Sequence, residues 1–233
     1  MGCTQRPAPD GSYGVTMSYY IDDHTTSLDN LQARLEATDL IPSHRPLLDK
    51  LTEKMRALKK AGVNSVADLR GRLKRKKALV SLADDTGIDA DYLVLLRRVI
   101  EGFFPKPLPL KAFDWLDENT VAKLERAGVK NTLQLYETAS SGTDALAENA
   151  GLKSKELSDP LALSNLSRIQ WVSPTFARTL VAAGFKGAAE VCKADPESLY
   201  ESVMRANENN RFYKGKVGLR DIRRLIAAAA NVP

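Results

Sequence analysis

Apolar residues recur along most of this chain at spacings of three and four, the period that lines one face of an α-helix. The pattern is sharpest from Arg168 to Phe185, which reads R-I-Q-W-V-S-P-T-F-A-R-T-L-V-A-A-G-F. Phe176, Ala177, Leu180 and Val181 make one apolar face. Ser173 followed by Pro174 marks the start of that helix, a hydroxyl N-cap ahead of a proline whose missing N–H is not needed in the first turn. Gly184 ends it where a left-handed residue is required. Ile169 and Val172 flank a sharp turn upstream. The stretch therefore predicts two helical segments joined by a tight hairpin.

The pattern repeats. A shift of 56 positions brings Trp171 onto Trp115, Val172 onto Leu116, Ser173 onto Asp117, and Ala183-Gly184-Phe185 onto Ala127-Gly128-Val129. A further shift of 66 brings Leu124 onto Leu58 and Ala127-Gly128-Val129 onto Ala61-Gly62-Val63. Leu82-Ala83 with Gly87-Ile88 echoes Leu146-Ala147 with Gly151-Leu152. Self-similarity of this kind outranks single-residue propensity as a fold signal. It predicts an all-α chain of three related helical modules behind a short N-terminal arm.

In order, residues 1–17 are rich in Gly, Pro and small polar residues and are expected to be a disordered leader, with Met17 as an alternative start. Gly2-Cys3 has the opening of a lipidation signal, but Arg6 stands where that signal wants Ser or Thr. Residues 18–42 form the arm, with Tyr19, Tyr20 and Ile21 as an apolar anchor, Asp22-Asp23-His24 as a solvated turn, and a helix from Ser27 burying Leu28, Leu31 and Leu35. The first module, 43–104, has a stripe of Leu48, Leu51, Met55 and Leu58, a second helix with Val66 and Leu69, and a helix from Asp89 with Tyr92, Leu96, Val99 and Phe103 inward. Residues 105–109, P-K-P-L-P, read as a stiff spacer. The second module is 110–167 and the third 168–233. In the third, a helix from Glu197 presents Leu199, Val203 and Ala206, and 205–211 reads as a polar loop. A last helix near 217–230 places Leu219, Ile222, Ile226 and Ala229 on one face, with Arg220, Arg223 and Arg224 opposite.

Charge adds a functional hint. The net charge is +5, unevenly spread. Residues 43–111 carry sixteen basic and eight acidic side chains, 112–168 six and nine, and 169–233 ten and six. The densest run is R-G-R-L-K-R-K-K at 70–77. It reads either as a solvated face or as a phosphate-contacting segment of Arg70, Arg72, Lys74, Arg75, Lys76 and Lys77.

Other chemistry is thin. Two cysteines and two histidines, scattered, offer no disulfide framework and no zinc spacing, and point to a reducing compartment. No apolar run approaches the roughly 20 residues that span a bilayer, and no signal-peptide layout is present. A cytoplasmic protein without membrane contact is expected. There is no phosphate-binding glycine loop, no dinucleotide fingerprint and no nucleophile with a His partner. Asp22-Asp23 and Asp84-Asp85 are adjacent pairs, which point apart on a helix and so suit metal-ion nuclease chemistry poorly. No enzyme activity and no cofactor are expected.

The hairpin L-S-R-I-Q-W-V-S-P-T-F-A-R-T-L-V-A-A-G-F resembles that of the helix-hairpin-helix superfamily. More narrowly, nearly the whole chain from Met17 resembles the domain of unknown function 4332 family, through D-L-I-P-S at 39–43, K-N-T-L-Q-L-Y at 130–136, Arg168 to Phe185, and Y-K-G-K-V-G-L at 213–219. The superfamily resemblance implies backbone N–H groups and a helix N-terminus aimed at a nucleic-acid phosphate. This chain departs from that pattern. Where the superfamily has glycine on each side of the apolar hairpin residue, Trp171 and Ser173 flank Val172, and Trp115 and Asp117 flank Leu116. Asp117 would repel a phosphate, so the second hairpin is expected to be structural. The third is expected to bind phosphate, through Trp171, Val172 and Ser173 aided by Arg168 and Arg178; Arg220, Arg223 and Arg224 on the last helix are further candidate contacts. Two readings follow. One is DNA or RNA backbone binding without base readout. The other is a protein partner held by an exposed Trp171 or Trp115.

Overall fold

A computed structural model describes residues 18–233; the expected leader and the Gly2-Cys3 signal lie outside the described residues. Among the described residues the chain is helical, without a β-strand, and its extended pairing is limited to two isolated bridges. It divides into two units. One is Ile21–Phe104. The other is Pro105–Pro233 together with Ser18–Tyr20.

The Ile21–Phe104 unit holds α1 (Leu28–Ala37), a 3-10 turn (Pro42–Leu48), α2 (Leu51–Lys60), α3 (Val66–Lys74), α4 (Lys76–Thr86) and α5 (Ala90–Glu101). Its core is the set of stripes written in the sequence: Leu28, Leu31 and Leu35 from α1, Leu51, Met55 and Leu58 from α2, Leu69 and Leu73 from α3, Leu93, Leu96 and Ile100 from α5. Each is almost fully removed from water, worth about 1.5–3 kcal/mol per side chain. Leu48, expected in the α2 stripe, is instead 41% exposed. It closes the 3-10 turn, and Leu47 takes the buried place with 0% exposure.

The Pro105–Pro233 unit holds α6 (Glu118–Arg126), α7 (Thr132–Ser141), α8 (Thr143–Ala150), α9 (Ser158–Leu166), α10 (Pro174–Ala182), α11 (Ala188–Lys193), α12 (Pro196–Asn210) and α13 (Leu219–Ala229), with 3-10 turns at Leu110–Ala112 and Ser154–Leu157. One continuous apolar cluster runs from Leu110 through Leu124, Leu166, Ile169 and Leu180 to Ile222 and Leu225. Residues 205–210, expected as a loop, are the last turns of α12. Ala206 continues the Leu199/Val203 stripe. Asn207 accepts the Tyr213 N–H at 2.8 Å and donates to the Tyr213 carbonyl at 2.8 Å, folding the following loop back on the helix end.

The internal repeat has a common local geometry. After α2, α6 and α10 the chain turns through Ala61-Gly62-Val63, Ala127-Gly128-Val129 and Ala183-Gly184-Phe185. Gly62, Gly128 and Gly184 take φ of 81°, 89° and 95°. The N–H of the following residue returns to the carbonyl of the fifth residue back: Val63 to Leu58 at 3.1 Å, Val129 to Leu124 at 2.9 Å and Phe185 to Leu180 at 2.9 Å. These are Schellman closures, for which a glycine at the left-handed position is the low-energy choice. The next helix is then capped or tied back. In the first unit Ser65 and Asp68 form a capping box and Ser65 bridges Ser27. In the second, Asn131 caps α7 and bridges Pro109. The Asn165 side chain does the equivalent tying for Ala188, accepting its N–H at 3.2 Å.

Candidate nucleic-acid interface

The basic run 70–77 is not one helical face. The helix breaks at Arg75, whose φ of −107° and ψ of 133° end α3 and open α4. The break sorts the cations. Arg70 belongs to the fold: its Nε donates to Glu101 at 2.8 Å, its Nη2 to the other Glu101 oxygen at 3.1 Å, and its Nη1 to Asp23. Its guanidinium also lies 3.9 Å from the centre of the Phe104 ring. The Arg70 hydrogen bonds hold the Glu101 carboxyl below its ordinary range, and Glu101 in turn raises Arg70. Arg72 is half-buried. Lys74, Arg75, Lys76 and Lys77 are all exposed, and among the described residues none forms an ion pair.

The last three of these sit at the start of α4. That helix has no acidic residue in its first turn and no side-chain cap. A helix N-terminus carries about half a unit of positive charge, so cations there are disfavoured by about 0.3–1 kcal/mol each. Nothing in the α4 start offsets this. Four consecutive cations at a helix junction leave a positive corner that an anion would neutralise.

In the Pro105–Pro233 unit the hairpin residues separate by role. Arg168 is only 5% exposed. It donates to the carbonyls of Tyr19 at 3.2 Å, Ser18 at 3.1 Å and Pro233, and stacks 4.0 Å from the Tyr136 ring centre. Burial pulls its pKa down. Its donors thus fasten the arm and the C-terminal residue rather than face solvent. Val172 is buried at the hairpin apex. Ser173 caps α10, accepting the Phe176 N–H at 3.3 Å. Asp117 caps α6 in the same way, accepting from the Thr120 N–H at 2.7 Å and hydroxyl at 2.8 Å, and these bonds hold its carboxyl below the ordinary range.

Trp171 stands apart. It is 52% exposed and takes φ of 70°. A side chain in the left-handed region costs about 1–2 kcal/mol relative to ordinary backbone, and an exposed indole recovers little of that through burial. Arg224 lies over it, guanidinium 4.4 Å from the ring centre. Arg224 Nε is buried without a hydrogen-bond partner, and no carboxylate pairs with this side chain among the described residues. By contrast Arg223 is paired with Glu197 at 2.9 Å. Arg178 lies 4.8 Å from the Trp115 ring centre and 4.0 Å from that of Phe212. Arg220 is exposed on α13. Trp115 is partly buried, edge-on to Phe113 at 5.6 Å.

The structure brings Trp171 and Arg224 together, a pairing that the sequence reading, which names both residues separately, does not make. The sequence reading also misses the partners that take Arg70 (Asp23, Glu101) and Arg178 (Phe212) out of the open surface. No local signal marks those pairs, because tertiary packing brings them together. A cavity of about 300 Å³ lies beside α10 and α12, lined by Phe176, Thr179, Val203, Met204, Asn207 and Tyr213 among others. Of its lining, the Asn207 amide is committed to the Tyr213 backbone and the Thr179 hydroxyl to the Thr175 carbonyl. Among the described residues no group of three or more His, Cys, Asp and Glu is placed to hold a metal ion, and no helix is long and apolar enough to cross a membrane.

The class of protein is thus an all-α chain of short capped helices with cation-rich surface elements. The family model described as "Domain of unknown function (DUF4332)" matches residues 116–232, half of the chain, and the chain belongs to that family. The match covers the K-N-T-L-Q-L-Y, hairpin and Y-K-G-K-V-G-L segments; D-L-I-P-S at 39–43 lies outside it. No curated protein and no solved structure matches the chain.

Proposed function

We propose that this chain is a non-enzymatic protein that binds the nucleic-acid backbone without reading sequence, through tandem helix-hairpin-helix modules. The observation that carries the reading is the Lys74–Lys77 corner, four exposed cations, without ion-pair partners among the described residues, at the junction of α3 with a helix start that lacks acidic residues. Each phosphate neutralised there releases condensed counterions, so affinity falls steeply with salt. Backbone contacts of this kind carry no base information.

The test is fluorescence anisotropy of labelled duplex and single-stranded oligonucleotides at two salt concentrations. Micromolar or tighter binding is expected at low salt, collapsing at the higher concentration. Reversing Lys74, Arg75, Lys76 and Lys77 to Glu is expected to weaken every sequence alike and to lower the salt slope by about 3–4 for four lost phosphate contacts. Absence of binding at low salt overturns the reading. A second reading, a protein-interaction adaptor, is favoured by one observation, the half-exposed Trp171; aromatic anchors of that kind dominate protein interfaces. Self-association or a stable protein partner, lost on removal of Trp171, would select it.

A further inference from the structure

We infer that Trp171 and Arg224 form a stacking platform for an unpaired base, so that the polymer preferred by this chain is single-stranded. This rests on the backbone-binding reading above and adds a second, chemically different contact in the other unit.

Three observations converge on it. Trp171 is 52% exposed and is not among the side chains packed on the core of its unit, whereas Trp115 is. Its conformation is one that glycine adopts freely and tryptophan does not, with φ of 70°. Folding therefore gains little from an indole at this place. Arg224 then supplies a charge that the described residues leave without a carboxylate: its guanidinium lies 4.4 Å from the ring centre, and among the described residues its Nε has no hydrogen-bond partner and no carboxylate pairs with it.

An indole covered by a guanidinium, with half its surface still open, has room for one flat partner. Duplex bases are already stacked on one another and present their edges, so a base can stack here only when it is free of a helix. Stacking of bases on aromatic side chains, with arginine adding cation–π and phosphate attraction, is the chemistry by which single strands are held regardless of sequence. The same unit also carries exposed Lys214 and Lys216 in the loop before α13.

The decisive variant is Trp171→Gly in the full chain. Glycine fits the left-handed backbone, so the melting temperature should hold or rise while the ring is lost. This separates a binding role from a folding one. Wild type and variant are titrated with a single-stranded thymidine oligomer, a uridine oligomer and a duplex of equal length, with tryptophan emission and anisotropy recorded together. The expected result is tighter binding of either single strand than of duplex, quenching of emission in the wild type, and loss of that quenching in Trp171→Gly. Single-strand affinity should fall on the order of tenfold in the variant, with duplex affinity nearly unchanged. Reversal of Lys74, Arg75, Lys76 and Lys77 should weaken both polymers together. An unchanged ratio of single-strand to duplex affinity in Trp171→Gly overturns the platform and leaves the backbone reading standing. Failure of the wild type to bind either polymer overturns both. Self-association abolished by Trp171→Gly, without polymer binding, overturns them in favour of a protein contact.

Discussion

Arg70 shows how a residue in the most basic run of the chain can be withdrawn from that run. Its two hydrogen bonds to Glu101, its bond to Asp23 and its stacking on Phe104 satisfy both charge and plane. Guanidinium and carboxylate match geometrically in this arrangement, which a lysine would not reproduce. The pair has a pH consequence. Glu101 is held below its ordinary value, chiefly by the Arg70 hydrogen bonds. Its folded pKa is therefore lower than its unfolded one, about 4.3. The stabilisation is complete above that pH and disappears as pH falls through the depressed folded value. Because Glu101 is half-exposed, solvent screening limits it to roughly 1 kcal/mol at neutral pH. Urea unfolding followed by circular dichroism from pH 7 to pH 3 should show Glu101→Gln less stable than wild type at pH 7, with the gap closing in acid. A gap that stays constant with pH would assign the loss to packing instead of charge.

The elements of this chain are short, and their ends were more legible in the sequence than their lengths. Ser173-Pro174, Asp117, Asp195-Pro196 and Ser27 all mark helix starts, and the side chains of Ser173, Asp117, Asp195 and Ser27 accept N–H groups from the first turn. Gly62, Gly128 and Gly184 mark helix ends because no other residue adopts their backbone at low cost. Gly128 allows the cleanest test. Its φ is +89° and an added Cβ would meet nothing within 4 Å. Gly128→Ala should thus cost about 1–2 kcal/mol through conformation alone, without a steric term. Thermal unfolding measures it; a neutral effect would mean that the turn rearranges. What was not legible follows the same logic in reverse. The α12 extension through Asn210 is built from polar residues, and its closure depends on Asn207 grasping Tyr213 across a loop. The break at Arg75 falls within Lys74-Arg75-Lys76-Lys77, where no proline or glycine marks it, so the sequence could not announce it. Within the candidate site, the exposed cations and Trp171 could be picked out, whereas the burial of Arg168 needed the arm and C-terminal residue in place.

At the scale of the whole chain, sequence order and spatial membership part company at the arm. Ser18–Tyr20 belong with Pro105–Pro233, although Ile21–Phe104 lie between them in sequence. Tyr19 is the fastening. It is 1% exposed, and its hydroxyl meets the Thr132 hydroxyl at 2.9 Å. Its ring is edge-on to Tyr136 at 5.8 Å, and its carbonyl accepts from Arg168. Thr132 in turn accepts the Leu108 N–H through its hydroxyl at 3.0 Å and the Ser164 hydroxyl through its carbonyl at 2.6 Å. One aromatic residue from the arm therefore ties together the start of α7, the segment before the Leu110–Ala112 turn, and α9. Removing it leaves a cavity and strands a buried hydroxyl, a combination expected to cost about 3–5 kcal/mol. Both tryptophans of the chain lie in this unit, so their fluorescence reports on it and not on Ile21–Phe104. Tyr19→Ala should lower the urea midpoint read by tryptophan emission by that amount divided by the denaturant slope, even though the substitution is 96 residues from Trp115. Tyr19→Phe should recover most of the loss, keeping the ring and giving up only the hydroxyl pair. An unshifted emission midpoint in Tyr19→Ala would show that the arm is not part of the folding unit that contains α6 to α13.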